Sequence, residues 1–321
     1  MTGEDRTSAG QEPSATDGTI EEVGPESLES DQFETRQLEP GLYLVATPIG
    51  NLEDITLRAL RVLKSVDRIA CEDTRQTQKL LNHFGIRTPT VSCHEHNEQA
   101  RIPELLEILM QDGRIAVVSD AGMPGISDPG MRIARAAIEA GIKIIPVPGP
   151  NAALTGLIAS GLDTGRFLFG GFLPAKAGAR RSELAEIHAA QRTPENATLV
   201  FYEAPHRILE TLDDVERIWG PSARVVVARE LTKRHEEFLR GTAAEVRVAL
   251  AGRERIRGEI VLLVEAHSSA APVVASASVA DRVGELMRSE GLEQKDALKR
   301  VAKERGLSKS EVYRELHQAK K

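Results

Sequence analysis

From Gly41 onward, short apolar runs alternate with stretches of helical periodicity, and this alternation constrains the fold more than any other feature of the sequence. Leu42–Ala46 and Ile115–Ser119 are typical, because each is an apolar run that leads into a turn rich in Gly and Pro. Strands that alternate with amphipathic helices along the chain are typical of α/β folds. We therefore predict an α/β fold.

A second series of strands begins near Phe167, which predicts two α/β domains with a boundary near residue 160. We assign residues 40–160 to an N-terminal domain and residues 161–267 to a C-terminal domain. The predicted strands are Leu42–Ala46, Arg68–Cys71, Ile115–Ser119, Lys143–Pro146, Phe167–Phe172, Thr198–Tyr202, Arg224–Ala228 and Ile260–Val264. The predicted helices are Ile55–Ser65, Thr77–His83, Gln99–Met110, Met131–Ala140, Asn151–Ser160, Ser182–Ala190 and Arg207–Trp219.

The formal net charge of −7 comes from the first part of the chain. Residues 1–39 hold eleven acidic and two basic residues, whereas residues 40–321 hold 37 acidic and 39 basic ones. A segment this acidic, with few apolar residues, is predicted to be a disordered leader. It has neither the basic start nor the apolar run of an export signal, so we expect a cytoplasmic protein.

The sequence favours neither a membrane span nor a disulfide framework. The longest uncharged stretch, Ile144–Leu162, is interrupted by prolines, so we expect no membrane association. Cys71 and Cys93 are too few for a disulfide framework and suit a reducing compartment. Aromatic residues make up only 3% of the chain, which argues against a nucleic-acid surface built from exposed stacking rings.

The end of the chain has a different composition from the two domains. Residues 268–279 lack charge and are predicted to be a linker. Residues 280–321 follow as a compact helical unit that resembles a helix-turn-helix, and Ser308 with Glu311 forms a capping box for its last helix. This unit holds eleven basic and eight acidic residues, which favours contact with nucleic acid over a packing or dimerisation role. Its predicted helices are Asp281–Glu290, Gln294–Arg305 and Ser308–Lys320.

The turn after the third predicted strand carries the strongest sign of a ligand site. Residues 119–130 contain three glycines, two prolines and two aspartates, more than a simple connection needs. Glycines allow the backbone to approach a ligand closely, and a carboxylate at a strand end can accept a hydrogen bond from a ribose hydroxyl or an amine. We therefore predict a ligand role for Asp120, and a helix N-cap role for Asp128, which precedes Pro129.

Other clusters of polar residues also follow predicted strands, where open α/β sheets place their ligands. These clusters suggest a cleft between the two domains. The chain has neither the glycine-rich loop of a P-loop nucleotidase nor that of a Rossmann enzyme. Cys93, His94 and His96 lack a second pair at zinc spacing, so we predict no metal site. The clusters are Thr47–Leu52, Glu72–Arg75, His94–Glu98, Pro146–Ala153, Tyr202–Arg207 and Arg229–Glu237.

Six segments in chain order resemble the ribosomal RNA methyltransferases of the tetrapyrrole methylase superfamily, and the similarity runs from about Gly41 to Ala266. These segments are Thr47–Leu52, Glu72–Arg75, His94–Glu98, Ser119–Gly130, Tyr202–Arg207 and Arg229–Lys233. The resemblance implies two α/β domains with a cofactor cleft between them, and a homodimer that uses S-adenosylmethionine. It also implies methylation of the ribose 2′-oxygen of a cytidine in the decoding region of small-subunit rRNA, either as naked rRNA or in the 30S subunit. The helical tail looks like the C-terminal helix-turn-helix of the same family.

The resemblance further implies which residues line the cofactor site. Met123 and Gly125 depart from the Thr and Leu expected in their turn, which affects the local pocket shape and leaves the class unchanged. The implied cofactor-binding residues are Pro48, Asp120, Gly122, Ile126, Asn151, Ala152, Glu203 and Leu231.

Methylation of a ribose hydroxyl needs alignment of the reacting atoms and removal of one proton, and no metal is required. Asp73 and Glu236 are the candidate bases. Lys233 is a candidate for stabilising the developing alkoxide or, if desolvated, for accepting the proton. The candidates for holding substrate phosphates are Arg75, Arg207 and Arg234.

Two alternatives remain open at this point. The first is a methylase that acts on a tetrapyrrole or another small molecule. The second is a non-catalytic RNA-binding assembly factor that keeps the cofactor fold. The arginine-bearing clusters and the helical tail favour RNA as the substrate.

Overall fold

The computed structural model describes residues 37–190, 197–266, 283, 286–287 and 292–305. Within these residues the chain forms two compact units, and the chain passes from the first to the second between Pro150 and Asn151. The short segment Ile49–Asn51 also belongs to the second unit. The boundary thus precedes the predicted position near residue 160, because the helix that begins at Ala152 packs on the second sheet.

The first unit is a parallel sheet whose strands alternate with helices, as the sequence predicts. The strand order is β3-β2-β4-β1-β5, and every neighbouring pair is parallel. Its elements are β1 (Gly41–Val45), α1 (Leu57–Ser65), β2 (Arg68–Cys71), α2 (Thr74–His83), β3 (Thr90–Ser92), α3 (Glu98–Met110), β4 (Arg114–Val118), α4 (Met131–Glu139) and β5 (Ile144–Val147).

Both faces of this sheet are covered, which explains why its strands are apolar at consecutive positions. One core contains Val45, Val118 and residues of α1, and the other contains Leu42, Val117 and residues of α3 and α4. The first unit also begins earlier than predicted, because Leu38 is buried in the former core.

The strand order places a topological switch between β1 and β4. From β1 the chain crosses β4 to reach β2, whereas from β4 it crosses β1 to reach β5. The loops that leave these two strands therefore diverge at the carboxyl edge of the sheet. Open α/β sheets bind ligands in the crevice that such divergence creates.

The second unit is a mixed sheet with the order β6-β7-β10-β8-β9. Only the β6–β7 pair is parallel among the strand pairs of this sheet. Helix α5 covers one face, and α6, α7 and α8 cover the other. Its elements are α5 (Ala152–Ser160), β6 (Phe167–Phe172), α6 (Ala177–Ala190), β7 (Ala197–Glu203), α7 (Ile208–Trp219), β8 (Arg224–Arg229), β9 (Glu237–Thr242), α8 (Ala243–Ala251) and β10 (Ile260–Ala266).

Part of the C-terminal tail is described. Helix α9 (Gln294–Arg305) confirms the second of the three predicted tail helices. Val283 and Leu286 pack with residues of α9 in a small apolar cluster of their own. The predicted linker, the predicted helix Ser308–Lys320 with its capping box, and nearly all of the predicted leader lie outside the described residues. Across the described ranges, no helix is both long and apolar enough to cross a bilayer.

Candidate functional site

The loops after β1 and β4 are joined by backbone pairing at the switch point. Thr47 and Gly122 exchange both backbone hydrogen bonds, at 2.9 and 3.0 Å. The Thr47 hydroxyl donates to the carbonyl of Ser119 at 3.0 Å, and the Ser119 hydroxyl donates to that of Gly122 at 3.1 Å. Gly122 has a φ of +86°, which a residue with a side chain rarely adopts. The predicted cofactor residue Gly122 is therefore fixed at the crevice, next in space to the loop that contains Pro48.

Asp73 and Asp120 lie at the same edge and are directly connected. The Asp73 amide donates to Asp120 Oδ1 at 3.3 Å. The Asp73 carboxylate is the N-cap of α2, where it accepts from the Arg75 amide at 2.8 Å and pairs with the Arg75 guanidinium. These bonds from Arg75 lower the pKa of Asp73 below its ordinary value. A carboxylate with a lowered pKa is a weaker proton acceptor.

Three carboxyl groups, Glu72, Asp120 and Asp128, form an acidic cluster at this edge. Burial, then the charges of Glu72 and Asp120, raise the pKa of Asp128 to about 6. Burial, then the charge of Asp120, raise the pKa of Glu72 as well. Burial of Glu72 and Asp128 is the main cause of both shifts, and repulsion between the carboxylates adds to it. The cluster therefore favours a positively charged ligand.

The prediction that Asp128 caps the following helix is wrong. Helix α4 begins at Met131 with Gly130 as its N-cap, and Asp128 makes no cap hydrogen bond there. The buried carboxylate of Glu98 on α3 instead accepts from the amides of Gly130 and Ile133, at 3.1 and 3.2 Å. Because another helix supplies the cap, Asp128 is left beside Glu72 and Asp120.

The remaining cofactor predictions fall into separate places. In the first unit Pro48 is buried and Ile126 is partly buried. In the second unit Asn151 is the N-cap of α5 and accepts from the Leu154 amide at 3.0 Å. Ala152 and Leu231 contribute to the apolar core beneath α5.

In the second unit, the loop after β8 holds Lys233 in an ion-pair network. Lys233 Nζ lies 3.0 Å from Glu230 Oε1 and 2.8 Å from Glu259 Oε2. Burial alone would lower the pKa of Lys233, but the hydrogen bonds to Glu259 and Glu230 outweigh it and raise the pKa. Lys233 is therefore a cation at neutral pH, suited to stabilising negative charge and unsuited to accepting a proton.

The same loop, residues 230–236, is held in a strained conformation. Glu230 and Thr232 have φ values of +54° and +64°, which are costly for residues with side chains. The Thr232 amide donates to Glu236 Oε2 at 2.7 Å, and the Asn51 amide donates to the Thr232 hydroxyl at 3.1 Å. Gly50 allows this approach, because a Cβ there would lie 2.4 Å from Cγ of Lys233. Such strain in a well-bonded loop is typical of a functional site.

Glu203 and Arg207 are engaged with their own unit. Glu203 is 2% exposed and pairs with Arg207 at 2.6 Å, and it also accepts from the Ala204 amide and the Thr211 hydroxyl. Arg207 further donates to the Leu173 carbonyl. This geometry gives both side chains a structural task in joining β7 to α7.

The two other predicted phosphate ligands are on the surface. The Arg75 side chain is 87% exposed while it pairs with Asp73. Arg234 is exposed, and within the described chain it has no ion-pair partner.

The sequence did not predict the acidic cluster, although Glu72 stands beside Asp73 in one of the polar clusters identified there. The grouping of the three carboxyl groups becomes visible only once β2 and β4 are paired.

The histidine and cysteine residues near β3 are not arranged as a metal site. Burial raises the pKa of Cys93 to about 11, so its thiol stays protonated. The rings of His94 and His96 are 6.0 Å apart. In the part of the chain that the structure describes, no three His, Cys, Asp or Glu side chains are grouped to hold a metal ion.

Comparison with known proteins places this geometry in a family. The family described as tetrapyrrole (corrin/porphyrin) methylases matches residues 41–247. The uroporphyrin III C-methyl transferase of Thermus thermophilus has a similar structure, with a TM-score of 0.50 and 19% identity over 69% of this chain and 96% of that one. This structural likeness shows the fold.

Closer relatives share much more sequence. The ribosomal RNA small subunit methyltransferase I of Halalkalibacterium halodurans is 49% identical over 89% of this chain and 98% of its own length. The protein of the same name from Bacillus subtilis is 45% identical over 86% of this chain and 94% of its own length. The predicted resemblance is thus confirmed, and the chain belongs to the tetrapyrrole methylase family.

Proposed function

We propose that this chain is an S-adenosylmethionine-dependent methyltransferase whose substrate is the RNA of the small ribosomal subunit. The observation that carries the proposal is the 49% identity over 89% of the chain to a ribosomal RNA small subunit methyltransferase I. Identity at that level extends well beyond the motifs that define the fold. It therefore favours RNA over a tetrapyrrole as the substrate.

The residues of the first unit fit the cofactor. S-adenosylmethionine carries positive sulfonium and ammonium groups, and Glu72, Asp120 and Asp128 supply negative charge at the switch point. Burial is the first cause of the raised pKa values of Glu72 and Asp128, and a cationic ligand would relieve the second, which is the mutual repulsion of the carboxylates. The glycine-rich turn that contains Gly122 leaves its backbone close to the crevice. We propose that Pro48, Asp120, Gly122 and Ile126 bind the cofactor from this unit.

In the second unit, we propose Asn151, Ala152 and Leu231 as cofactor-binding residues. Asn151 and Ala152 form the start of α5, and Leu231 lies in the strained loop 230–236. Glu203, also implied by the resemblance, would act by holding Arg207 and the end of β7 in place.

Methyl transfer requires stabilisation of negative charge and removal of a proton, and both tasks fit loop 230–236. When bound, S-adenosylmethionine supplies an electrophilic methyl group. Lys233 is positively charged and would stabilise the developing alkoxide. Glu236 uses Oε2 to accept from the Thr232 amide, while its Oε1 makes no hydrogen bond to the described residues. We propose Glu236 as the proton acceptor, because Arg75 holds the pKa of the other candidate, Asp73, below its usual range.

The finer substrate proposal is the ribose 2′-oxygen of a cytidine in the decoding region. It rests on the resemblance of the loop clusters, and the charge balance of loop 230–236 is compatible with it. A ribose hydroxyl is a weak acid, so its reaction requires a fixed cation beside the reacting oxygen that stabilises the alkoxide as it forms. Arg234 is an exposed candidate for a neighbouring phosphate.

We further propose that the protein is a homodimer in the cytoplasm. Apolar side chains are exposed on the edge strand β6 and on α5: Phe167, Leu168, Phe172, Leu154 and Ile158. Exposed apolar surface on an edge strand promotes association. Light scattering of the protein and of Phe172→Asp tests this point, and a monomeric wild type would contradict it.

The cysteines support the proposed location in the cytoplasm. Cys71 and Cys93 are free and buried, which suits a reducing compartment.

The decisive experiment compares substrates. The protein is incubated with methyl-labelled S-adenosylmethionine and small subunits from a strain that lacks this methylation, naked small-subunit rRNA, or a precorrin. Label in RNA supports the proposal, and mass mapping of the nucleotide identifies the 2′-oxygen. Label only in the precorrin would favour the small-molecule alternative. No transfer despite RNA binding would favour the assembly factor.

A further inference from the structure

Two loops of the second unit carry exposed arginines, and among them only Arg234 has a role in the function proposed above. Arg234 lies in loop 230–236, and Arg255 and Arg257 lie between α8 and β10. All three residues are exposed, and none of them has an ion-pair partner among the described residues. We call these three residues the arginine surface.

The two loops are fixed to each other by their backbones. Glu230 and Glu259 are joined by a backbone hydrogen bond of 3.0 Å and by a bond of 3.1 Å from the Glu259 amide to Glu230 Oε1. The guanidinium of Arg229 donates to the carbonyls of Arg257 and His235, at 2.9 and 3.5 Å. The Arg229 side chain therefore links the backbone next to Arg234 to the backbone of Arg257.

The second loop is anchored beneath the arginine surface as well. Ile256, between Arg255 and Arg257, packs against the core under α7 and α8. Arg253 pairs with Glu237, which also pairs with Arg229. The bonds from Arg253 and Arg229 outweigh the effect of burial and lower the pKa of Glu237 to about 2, so this anchor stays ionised at any working pH.

The charge balance leaves the arginine surface available to a ligand. The inner network contains three cations, Arg229, Lys233 and Arg253, and three carboxylates, Glu230, Glu237 and Glu259. Its charges therefore cancel. Outside this network, the two loops carry the three arginines of the arginine surface and two exposed glutamates, Glu236 and Glu254. These exposed residues therefore have a net positive charge.

We propose that the arginine surface binds backbone phosphates of the RNA substrate beside the nucleotide that is methylated. The inference rests on the proposed function and deepens it, because it names the surface that positions the RNA. Guanidinium groups match phosphate geometry with two parallel hydrogen bonds, and a rigid mount reduces the entropy lost on binding. The surface shares loop 230–236 with Lys233, so RNA held there lies against the loop proposed to act on its ribose.

The test uses the full-length double variant Arg255→Gln/Arg257→Gln, with Arg87→Gln as the matched control. Arg87 is likewise exposed and has no ion-pair partner in the described ranges, but it precedes β3 at the amino end of the first sheet. The primary measurement is equilibrium binding of a small-subunit rRNA transcript at several salt concentrations. S-adenosylmethionine binding and thermal unfolding are measured alongside.

We expect the double variant to bind the transcript about tenfold more weakly at moderate salt, and its log–log salt slope to become shallower by about 1.5 to 2. The control should shift neither quantity, and cofactor binding and unfolding temperature should stay unchanged in both. Affinity and slope equal to those of the wild type would overturn the inference. A failure of the proposed function would give a different experimental result, because the wild-type protein itself would then transfer no methyl group to RNA.

Discussion

The amide of Asp73 donates to Oδ1 of Asp120 across 3.3 Å and so joins the loops after β2 and β4 at the carboxyl edge of the first sheet. At the amino edge, Asp67 Oδ2 accepts from the Arg114 amide at 2.7 Å and joins the same two strands. The two aspartates thus make the same kind of bond at opposite ends of one strand pair. Of these two acceptors, Asp120 and Asp67, only Asp120 lies at the carboxyl edge, where open α/β sheets bind their ligands.

This pairing gives a controlled test of the cofactor site. Asp120→Asn keeps an oxygen for the Asp73 amide but loses the negative charge. We expect its affinity for S-adenosylmethionine to fall tenfold to a hundredfold, since a charged hydrogen bond is worth about 1.5–3 kcal/mol. Asp67→Asn should leave the affinity unchanged. Titration calorimetry measures both, and equal affinities in the two variants would remove Asp120 from the site.

The acidic cluster predicts an unusual pH dependence of stability. The pKa of Asp128 rises from 3.8 to about 6 on folding, first because of burial. The folded state therefore binds this proton more tightly, and the stability that it contributes is lost as the pH rises toward 6. We expect Asp128→Asn to raise the free energy of unfolding at pH 8 by about 1 kcal/mol, after discount for the solvent around this partly buried group.

The pH dependence of that difference is the check. It should shrink steadily between pH 6 and pH 4, where the wild-type carboxyl group becomes neutral like the amide. Urea unfolding of wild type and variant across this range measures it. A variant less stable than wild type at pH 8 would show that Asp128 makes a favourable contact as an anion.

The sequence predicted the fold well where apolar patterning is strong. The bounds of β2 and β6 agree with the predicted strands, because each is an apolar run bounded by turn residues. The sequence did not predict β3 or β9. Neither has a continuous apolar run: β3 has only three residues, two of them polar, and β9 includes the charged residues Glu237 and Arg240. Helix α8 was missed with β9.

For the site, the sequence identified the loops but not the partners of their charged side chains. Asp73, read as a base, caps α2, and Asp128, read as a cap, faces two other carboxylates. Arg207, read as a phosphate ligand, is paired with buried Glu203. A charged residue has the same appearance in a sequence whether it meets a neighbour or a ligand. Only the pairing of distant segments distinguishes the two.

Asp73 can be tested by separating capping from catalysis. Asp73→Ser keeps a side-chain oxygen for the Arg75 amide, whereas Asp73→Ala removes the cap at a cost of about 1 kcal/mol of stability. We expect the Ser variant to retain both stability and methyl transfer. Urea unfolding and initial rates measure the two effects. A stable Ser variant that has lost about a hundredfold in kcat would return the proton-acceptor role to Asp73.

Lys233 is predicted to act as a cation throughout the working range. Its raised pKa implies that methyl transfer should not increase as the pH approaches 10, as it would if a neutral lysine were the base. We expect Lys233→Ala to lose most methyl transfer and to retain cofactor binding. Rates from pH 6 to pH 9.5 and calorimetry test both statements. Full activity in the variant would exclude Lys233 from the reaction.

Glu236 completes the test of loop 230–236. Glu236→Gln keeps an oxygen for the Thr232 amide, so the strained loop should hold its shape while the basic carboxylate is lost. We expect kcat to fall by about a hundredfold, the usual scale of general-base catalysis, with cofactor affinity unchanged. Glu254→Gln is the matched control, because Glu254 is an exposed glutamate of the same unit that makes no ion pair among the described residues. If both variants keep wild-type kcat, a proton acceptor outside this loop is required.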